Sequence, residues 1–454
     1  MVDKLLIRAY NVGVGDCIYV RIPKARKKGG KTDDFHVLID CGKKGSAAEL
    51  KVALDHLKTE LPQEGRKRRL DLLLVSHEHE DHVKGMDPEW FDDVKIENLW
   101  MSVAMNRDHP QAKFAHQLHD RVATAMRGLA ARGLALSPEL EDMVNRYDIA
   151  NEGAVEALRT ALPAQNGIKP LYVHADLKPA ELKPETLSGA TFKVLAPEFD
   201  IDTYYLGDAG EEILHGLSAS AGVLRGEGAA PAAGAVPANI STSDFRRLQS
   251  RMMSSAFAFA KEEGEVVNNT SVMLLIEWRG RRLLFVGDAE WNGGYREKKK
   301  NFSWNTAWKL RNAELNQPVD FLKIGHHGSI NSTPWNDKED GTVTEPGTIL
   351  DAILPLPTGR ARPTAQAIVS TERTFYKVIP RATLLVEIAR RVGNTRTYQD
   401  ELSAEQIAGL PNFADHEKAG LGKPQPLRTD LETRLTGKGF VDVLIEPKRG
   451  ARRG

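Results

Sequence analysis

The 454-residue chain is 41% hydrophobic and 27% charged, enough to bury a substantial core and incompatible with compositional disorder. Its 62 Lys and Arg balance 62 Asp and Glu, so there is no global basic field that argues for nucleic acid, and any anion-binding surface has to be local. Two cysteines, Cys17 and Cys41, exclude a disulfide-rich scaffold and a thiolate zinc cage. The apolar runs fall far below the ~20 residues that span a bilayer, and no signal-like apolar region follows the start, so we expect a cytoplasmic protein with no membrane contact.

Short β-rich runs dominate the first hundred residues. Leu5–Tyr10 and Cys17–Ile22 flank the turn Asn11-Val12-Gly13-Val14-Gly15-Asp16, and Phe35–Ile39 ends on Asp40-Cys41-Gly42. A helix is expected over Ala47–Leu57, and the continuous apolar run Leu72–Val75 suits a strand covered on both faces. From 101 to 265 the texture turns to Ala, Leu and charged residues at helical spacing, as in Ala112–Arg132 and Pro138–Tyr147. This predicts a helix-rich insertion with a Gly/Ala/Pro-rich mobile loop at 216–238. Strands resume at Val272–Trp278, the turn Arg279-Gly280 and Leu283–Val286, which form a hairpin, then at Val319–Ile324. Ala367–Ser370 and Phe440–Ile445 bracket a helix over Ala382–Arg391, with residues 401–454 read as a C-terminal extension.

Five of the thirteen histidines fall in two clusters, each directly after a predicted strand. Ser76-His77-Glu78-His79-Glu80-Asp81-His82 is an HxHxDH array in which His77 and His79 can face one side while Asp81 and His82 face a second metal. So many imidazoles and carboxylates are costly to hold together without a cation. Gly287-Asp288 and Gly325-His326-His327-Gly328-Ser329 end two further strands, which places acids and histidines along one rim of a sheet.

In this order, Asp40, HxHxDH, Asp288 and a last strand-end histidine resemble the metallo-β-lactamase superfamily, an α/β (α+β) protein built as an αββα sandwich, here with a helical insertion. The segments Asn11–Asp16, Leu38–Gly42, Asn268-Asn269-Thr270-Ser271-Val272, Leu284–Asp288, Asp320–Ser329 and Ala367–Ser370 are similar to the ComEC branch. The resemblance covers residues 1–100 and 266–400. It implies a hydrolase with two divalent ions, Zn²⁺ or Mn²⁺, in a rim cleft. His77 and His79 would hold one ion, Asp81 and His82 the other, and Asp288 would bridge them. His326, nearest the strand end, would be the last ligand, with His327 facing substrate and, with Asp81, assigned to catalysis. Asp40 would orient the histidine loop, and Asn268, Asn269 and Ser329 would support the site or meet substrate. Where many members of the superfamily place a further histidine, this chain has Asn268-Asn269-Thr270-Ser271; an amide oxygen is a harder ligand and shifts the site towards Mn²⁺. His109, His174 or His215 could instead fold in from the insertion. His116 and His119 share a helix face.

The branch's association with DNA degradation implies a phosphodiesterase or nuclease. The alternatives are a hydrolase of a small ester, lactone or phosphocholine-type substrate, or a partner-controlled module without turnover, the helical insertion offering a surface for a protein partner. Lys24–Lys28, Arg66–Arg69, Arg296–Lys300 and the terminal Lys448–Arg453 are local clusters that can meet phosphates, Arg66–Arg69 at the strand end opposite the site. Trp291, Trp304 and Trp308 are expected to pack in the core, the alternative being to stack on bases.

Overall fold

A computed structural model describes residues 3–111, 152–206, 265–336, 338, 342–359, 361, 363–371, 379–381, 384, 387–388, 390–393, 439–448 and 450. The helices expected at Ala112–Arg132 and Pro138–Tyr147, the loop at 216–238, His116, His119, His215 and half of the helix expected over Ala382–Arg391 lie outside the described residues.

The chain is a mixed α/β protein. Its elements run β1 (Leu5–Tyr10), β2 (Cys17–Lys28), β3 (Lys31–Cys41), α1 (Ala48–Glu60), β4 (Gln63–Glu64), β5 (Lys67–Leu70), β6 (Leu72–Val75), α2 (Glu80–Val83), β7 (Val94–Ile96) and β8 (Leu99–Ser102). They continue through β9 (Leu171–Val173), β10 (Ala190–Ala196), β11 (Met273–Trp278), β12 (Arg281–Phe285), α3 (Ser303–Leu310), β13 (Phe321–Ile324), α4 (Glu345–Ile353), β14 (Gln366–Val369) and β15 (Phe440–Ile445). The first sheet has the order β15-β1-β2-β3-β6-β8-β9 and the second β10-β11-β12-β13-β14, with β4-β5-β7 a small third.

Strand periodicity sorts the apolar residues into layers. Leu5, Ile7, Val20 and Val37 share one cluster with Phe192, Leu274, Ile276 and Phe285, so facing residues of the two large sheets form a common core. The alternate positions Leu6, Tyr19 and Leu38 pack with Leu50, Leu54 and Leu57, the apolar stripe of α1. Met273, Leu275 and Leu284 pack with Trp304 and Ala307 of α3 and with Ile349, Leu350 and Ile353 of α4. Each such leucine contributes about 1.5–3 kcal/mol by leaving water. The run Leu72–Val75 is buried throughout because β6 lies between β3 and β8, parallel to both. The hairpin of β11 and β12 turns on Arg279 (φ 44°) and Gly280 (φ 76°), the double left-handed geometry that matches strand twist.

Two expectations of chain organisation need revision. The stretch 101–265 is not helical throughout: Leu171-Tyr172-Val173 adds β9 to the edge of the first sheet beside β8, and Ala190–Ala196 adds β10 to the edge of the second, beside β11. Alternation around Phe192 and Val194 drives the second of these, since both side chains are buried. Nor is the C-terminal end a separate extension, because β15 pairs antiparallel with β1 from Leu5↔Ile445 to Tyr10↔Phe440. The guanidinium of Arg8 fastens that pairing with bonds of 2.6 and 2.8 Å to the two carboxylate oxygens of Asp442.

β3, β6, β8 and β9 run parallel, as do β12, β13 and β14. In open parallel sheets, ligands gather outside the carboxyl ends of the strands, and the histidine clusters leave the ends of β6 and β13.

Candidate metal centre

The centre is built around Asp40, the penultimate residue of β3, whose backbone sits in the left-handed region at φ 57°. Its carboxylate accepts the Ser76 backbone N–H and hydroxyl, both at 2.7 Å, and lies 2.8 Å from Nδ1 of His82. One buried carboxylate thus grips the start of the histidine loop and fixes the ring at its end. The packing leaves no slack: a Cβ on Gly42 would stand 2.1 Å from the backbone nitrogen of His82, so only glycine lets this turn approach α2.

Two ligand groups converge there. His77 Nε2 is 3.1 Å from His79 Nδ1 and 3.8 Å from Asp288 Oδ2. Asp81, His82, Asp288 and His327 make the second group, all buried: His82 Nε2 is 3.3 Å from Asp288 Oδ1, and His327 Nε2 is 2.8 Å from Asp81 Oδ2. Ligand atoms around a tetrahedral ion stand roughly 3.3 Å apart when the metal–nitrogen bonds are about 2.0–2.1 Å, so these separations are those of coordination edges. Asp288 belongs to both groups. Within the second, His82 Nε2 and Asp81 Oδ1 are buried without a hydrogen bond, an arrangement costly for polar atoms, although the Lys44 ammonium lies 3.5 Å from Asp81 Oδ1. The donor set of imidazoles and carboxylates therefore fits divalent ions. A third group, Asp16, Asp40 and His82, differs because a cation is already in place: the Lys323 ammonium is 2.8 Å from Asp16, and both side chains are buried.

The charge states of His77, His79, Asp81 and Asp288 suit ion uptake, whereas His82 must give up a proton to ligate. Burial drives His77 well below the ordinary imidazole range and His79 down to about 4, so both rings are neutral donors. Burial also opposes charge on His82, Asp81 and Asp288, but the carboxylates of Asp288 and Asp40 hold His82 well above its usual value. Asp81 is held well below the carboxylate range by Lys44 and His327, and Asp288 by His82 and His326.

The His-His-Gly loop departs from expectation. It is His327, not His326, whose ring nitrogen joins Asp81, His82 and Asp288. Both residues adopt left-handed backbone, φ 39° and 53°, which turns the second ring inward, where Nδ1 contacts the Ser370 carbonyl at 2.8 Å. The half-buried His326 instead contacts Glu290 through Nδ1 at 2.9 Å, while its backbone N–H donates to Asp288 at 3.0 Å. Burial opposes a charge on His326, but Asp288 and Glu290 raise it to about 9.

The amide segment serves mainly as scaffold. Asn269 Oδ1 accepts the Ser303 N–H at 2.8 Å and the Ser303 hydroxyl at 2.9 Å, and Asn268 donates to Glu290 at 3.2 Å, leaving its own Oδ1 buried without a hydrogen bond. Ser329 bonds Asn331 at 2.9 Å rather than the histidines. Among the described residues, neither His109 nor His174 joins a ligand group; their rings pack on Phe199 at 4.3 and 5.0 Å. Trp291 and Trp304 are buried and donate to Thr333 and Ser332 carbonyls, and Trp308 packs against the same core.

Sequence reading missed Ser76, Ser271, Glu290, Asp16, Lys323 and Lys44. Ser271 Oγ lies 3.2 Å from His77 Nδ1 and accepts the Asp288 backbone N–H at 3.1 Å, a link between the two strand ends. Glu290 lay in plain view two residues after Asp288, and an acid so close to a candidate bridging carboxylate was a usable signal. Among the described residues, no helix is long and apolar enough to cross a membrane. Compared with known proteins, the chain matches no protein-family model and no curated protein.

Proposed function

We propose that the chain is a metal-dependent hydrolase of the metallo-β-lactamase superfamily, close to its ComEC branch, and that it cleaves phosphodiesters, with DNA as the substrate. The layering of two sheets between α1 on one side and α3 and α4 on the other supports the αββα sandwich. One observation carries the reading: two ligand groups, buried apart from the half-buried His79, share a single carboxylate, Asp288.

His77, His79 and Asp288 would hold one Zn²⁺ or Mn²⁺, and Asp81, His82, His327 and Asp288 the other. Divalent ions bound there would supply acidification of water and stabilisation of the charge that develops on the attacking and leaving oxygens. The protein's own residues do the rest. Asp40 keeps the His82 proton on Nδ1 and so aims Nε2 inward. Ser76 and Ser271, both in reach of His77 Nδ1, do the same for that ring. His326, whose Nδ1 lies 2.9 Å from Glu290, stands beside the ligand groups and would be the donor for the departing oxygen.

The test is cleavage of single- and double-stranded DNA by metal-stripped protein resupplied with Mn²⁺ or Zn²⁺, with Asp288→Ala prepared in parallel. Metal-dependent cutting that the variant loses is the expected outcome. Two ions bound per chain without cutting would overturn the nuclease reading and favour a small ester.

A further inference from the structure

Residues 291–303 form a loop that starts and ends at the metal centre. It follows Glu290, which contacts His326, and returns to the same place, where the Trp304 N–H donates to the Glu290 carbonyl at 3.1 Å and the Ser303 N–H to Asn269. A surface loop whose ends meet in this way is closed like an Ω-loop, a form often given over to function. It carries Arg296, Glu297, Lys298, Lys299 and Lys300, one of the basic clusters that can meet phosphates.

Such a run is ordinarily a solvated strip, but this one is built on buried amides. Asn301 is 3% exposed; its Oδ1 accepts the Arg296 N–H at 2.8 Å, and its amide donates to the carbonyls of Arg296 and Lys299 at 2.8 and 2.7 Å. Asn305, fully buried, accepts the Asn292 N–H and donates to the Gly293 carbonyl, and both its amide and the Tyr295 N–H bond Glu345. The cations are therefore displayed from a fixed frame.

Three of these cations are not neutralised within the protein. Among the described residues, Arg296, Lys298 and Lys309 of α3 are exposed and have no carboxylate partner. The Arg296 guanidinium reaches only the Lys300 carbonyl, at 3.4 Å, and the Lys309 ammonium stands 5.7 Å from the centre of the half-buried Tyr295 ring. By contrast, the cluster at Lys24–Lys28 is largely neutralised: Lys24 pairs with Asp3, Arg26 with Asp71 and Glu97, and Lys28 with Glu97. Arg66 and Lys67 come before β6, whose far end carries the histidines. Exposed cations spaced along a fixed loop suit a chain of phosphates, which position a nucleic acid without reading its sequence.

Resting on the phosphodiesterase reading above, we propose that this loop, with Lys309, is a docking surface for the sugar–phosphate backbone of DNA. Arg296, Lys298 and Lys309 hold phosphates that flank the one being cut.

The test compares the full chain with the triple variant Arg296→Gln, Lys298→Gln, Lys309→Gln and, to remove charge elsewhere, with Arg66→Gln, Lys67→Gln. Mn²⁺ uptake, thermal midpoint and hydrolysis of bis(4-nitrophenyl) phosphate are measured first. Binding of a fluorescent DNA duplex is then followed across a range of salt, on metal-free protein so that nothing is cut. The triple variant should keep its metal, its midpoint and its hydrolysis of the small diester. Its DNA affinity should fall for every sequence alike, and the slope of log affinity against log salt should drop by about 0.9 for each cation removed. The Arg66 and Lys67 variant should keep the wild-type slope. An unchanged slope in the triple variant, or the same drop per charge in the other, would overturn the assignment and leave the loop a solvated strip. Loss of metal or of small-diester hydrolysis from the triple variant would overturn it too and make the loop a brace for the centre. So would wild type that hydrolyses the small diester yet binds no duplex, a result that spares the phosphodiesterase reading. Wild type that hydrolyses no diester would fell that reading and the docking surface with it, an outcome identified before any DNA is added.

Discussion

The two sheets furnish their rims in opposite ways. The first supplies His77, His79, Asp81 and His82 from six consecutive residues, in a loop and the single turn of α2, under the grip of Asp40. The second supplies Ser271, Asp288, Glu290 and His327 from the ends of different strands, on backbone forced into the left-handed region at Gly287 (φ 52°), His326 (φ 39°) and His327 (φ 53°). A dense local run makes imidazoles easy to recognise, whereas the carboxylate shared by both groups and the ring that completes the second depend on how separate strands end. Most of the ligand nitrogen comes from one half and much of the ligand geometry from the other.

The sharpest way to break this comparison is to exchange the fates of the two neighbouring histidines. His327→Ala should lose an ion and roughly three orders of magnitude in metal-dependent turnover, while His326→Ala should retain both ions. Metal analysis beside kinetics decides it, and equal metal loss in the two variants would erase the distinction between the rings. Next in size is the tie between the sheets. Lys323 on β13 reaches Asp16 on the turn before β2, so Lys323→Met leaves a buried carboxylate without its cation and should cost about 3–5 kcal/mol in denaturant unfolding. The double variant Asp16→Asn with Lys323→Met should regain much of that loss; equal instability in single and double variants would show that packing, not charge, is what matters there.

A smaller effect tests the first rim alone. Asp40→Asn keeps a side chain that tolerates left-handed backbone but replaces a carboxylate that serves Ser76 and His82, and metal affinity should fall about 10–100-fold with the fold intact. Undiminished affinity in a metal-buffer titration would remove Asp40 from the centre. The smallest effect lies beyond β10, at Glu198. Burial pushes this carboxyl up to about 7, and the Tyr205 hydroxyl bonds it. The unfolded chain ionises the same group near 4.5, so the folded state binds more protons between those values, and the stability linked to Glu198 is present below 4.5 and lost as pH rises through 7. Glu198→Gln should therefore gain on wild type across that window and end about 2 kcal/mol more stable at pH 8. Parallel stability–pH curves for the two proteins would contradict the assignment.

Much of this was legible from the residues. Leu5–Tyr10, Leu72–Val75 and Phe440–Ile445 form the strands expected, and the residues expected to ligate fall together apart from His326. What stayed hidden was nonlocal. Proximity to the strand end argues for His326, but the sign of φ at two successive residues decides which ring turns inward, and His-His-Gly does not announce it. The partnership of Asp16 with Lys323 joins residues more than 300 positions apart, and a lysine within an apolar strand has no local pattern that names its counter-ion. β10 went unread because Ala-Thr-Phe-Lys-Val-Leu-Ala sits in a stretch otherwise of helical texture.

The pairing of β15 with β1 has a consequence of its own. It places the two ends of the described chain side by side on the outer margin of the first sheet, so β1 presents no open row of peptide donors and acceptors. A chain cut short before Phe440 would uncover that row next to Leu5, Ile7 and Tyr10 and would also strand the Arg8 guanidinium without Asp442. Such a chain should self-associate strand to strand, and its loss from solution would reflect a bared sheet margin rather than damage to the histidine loop.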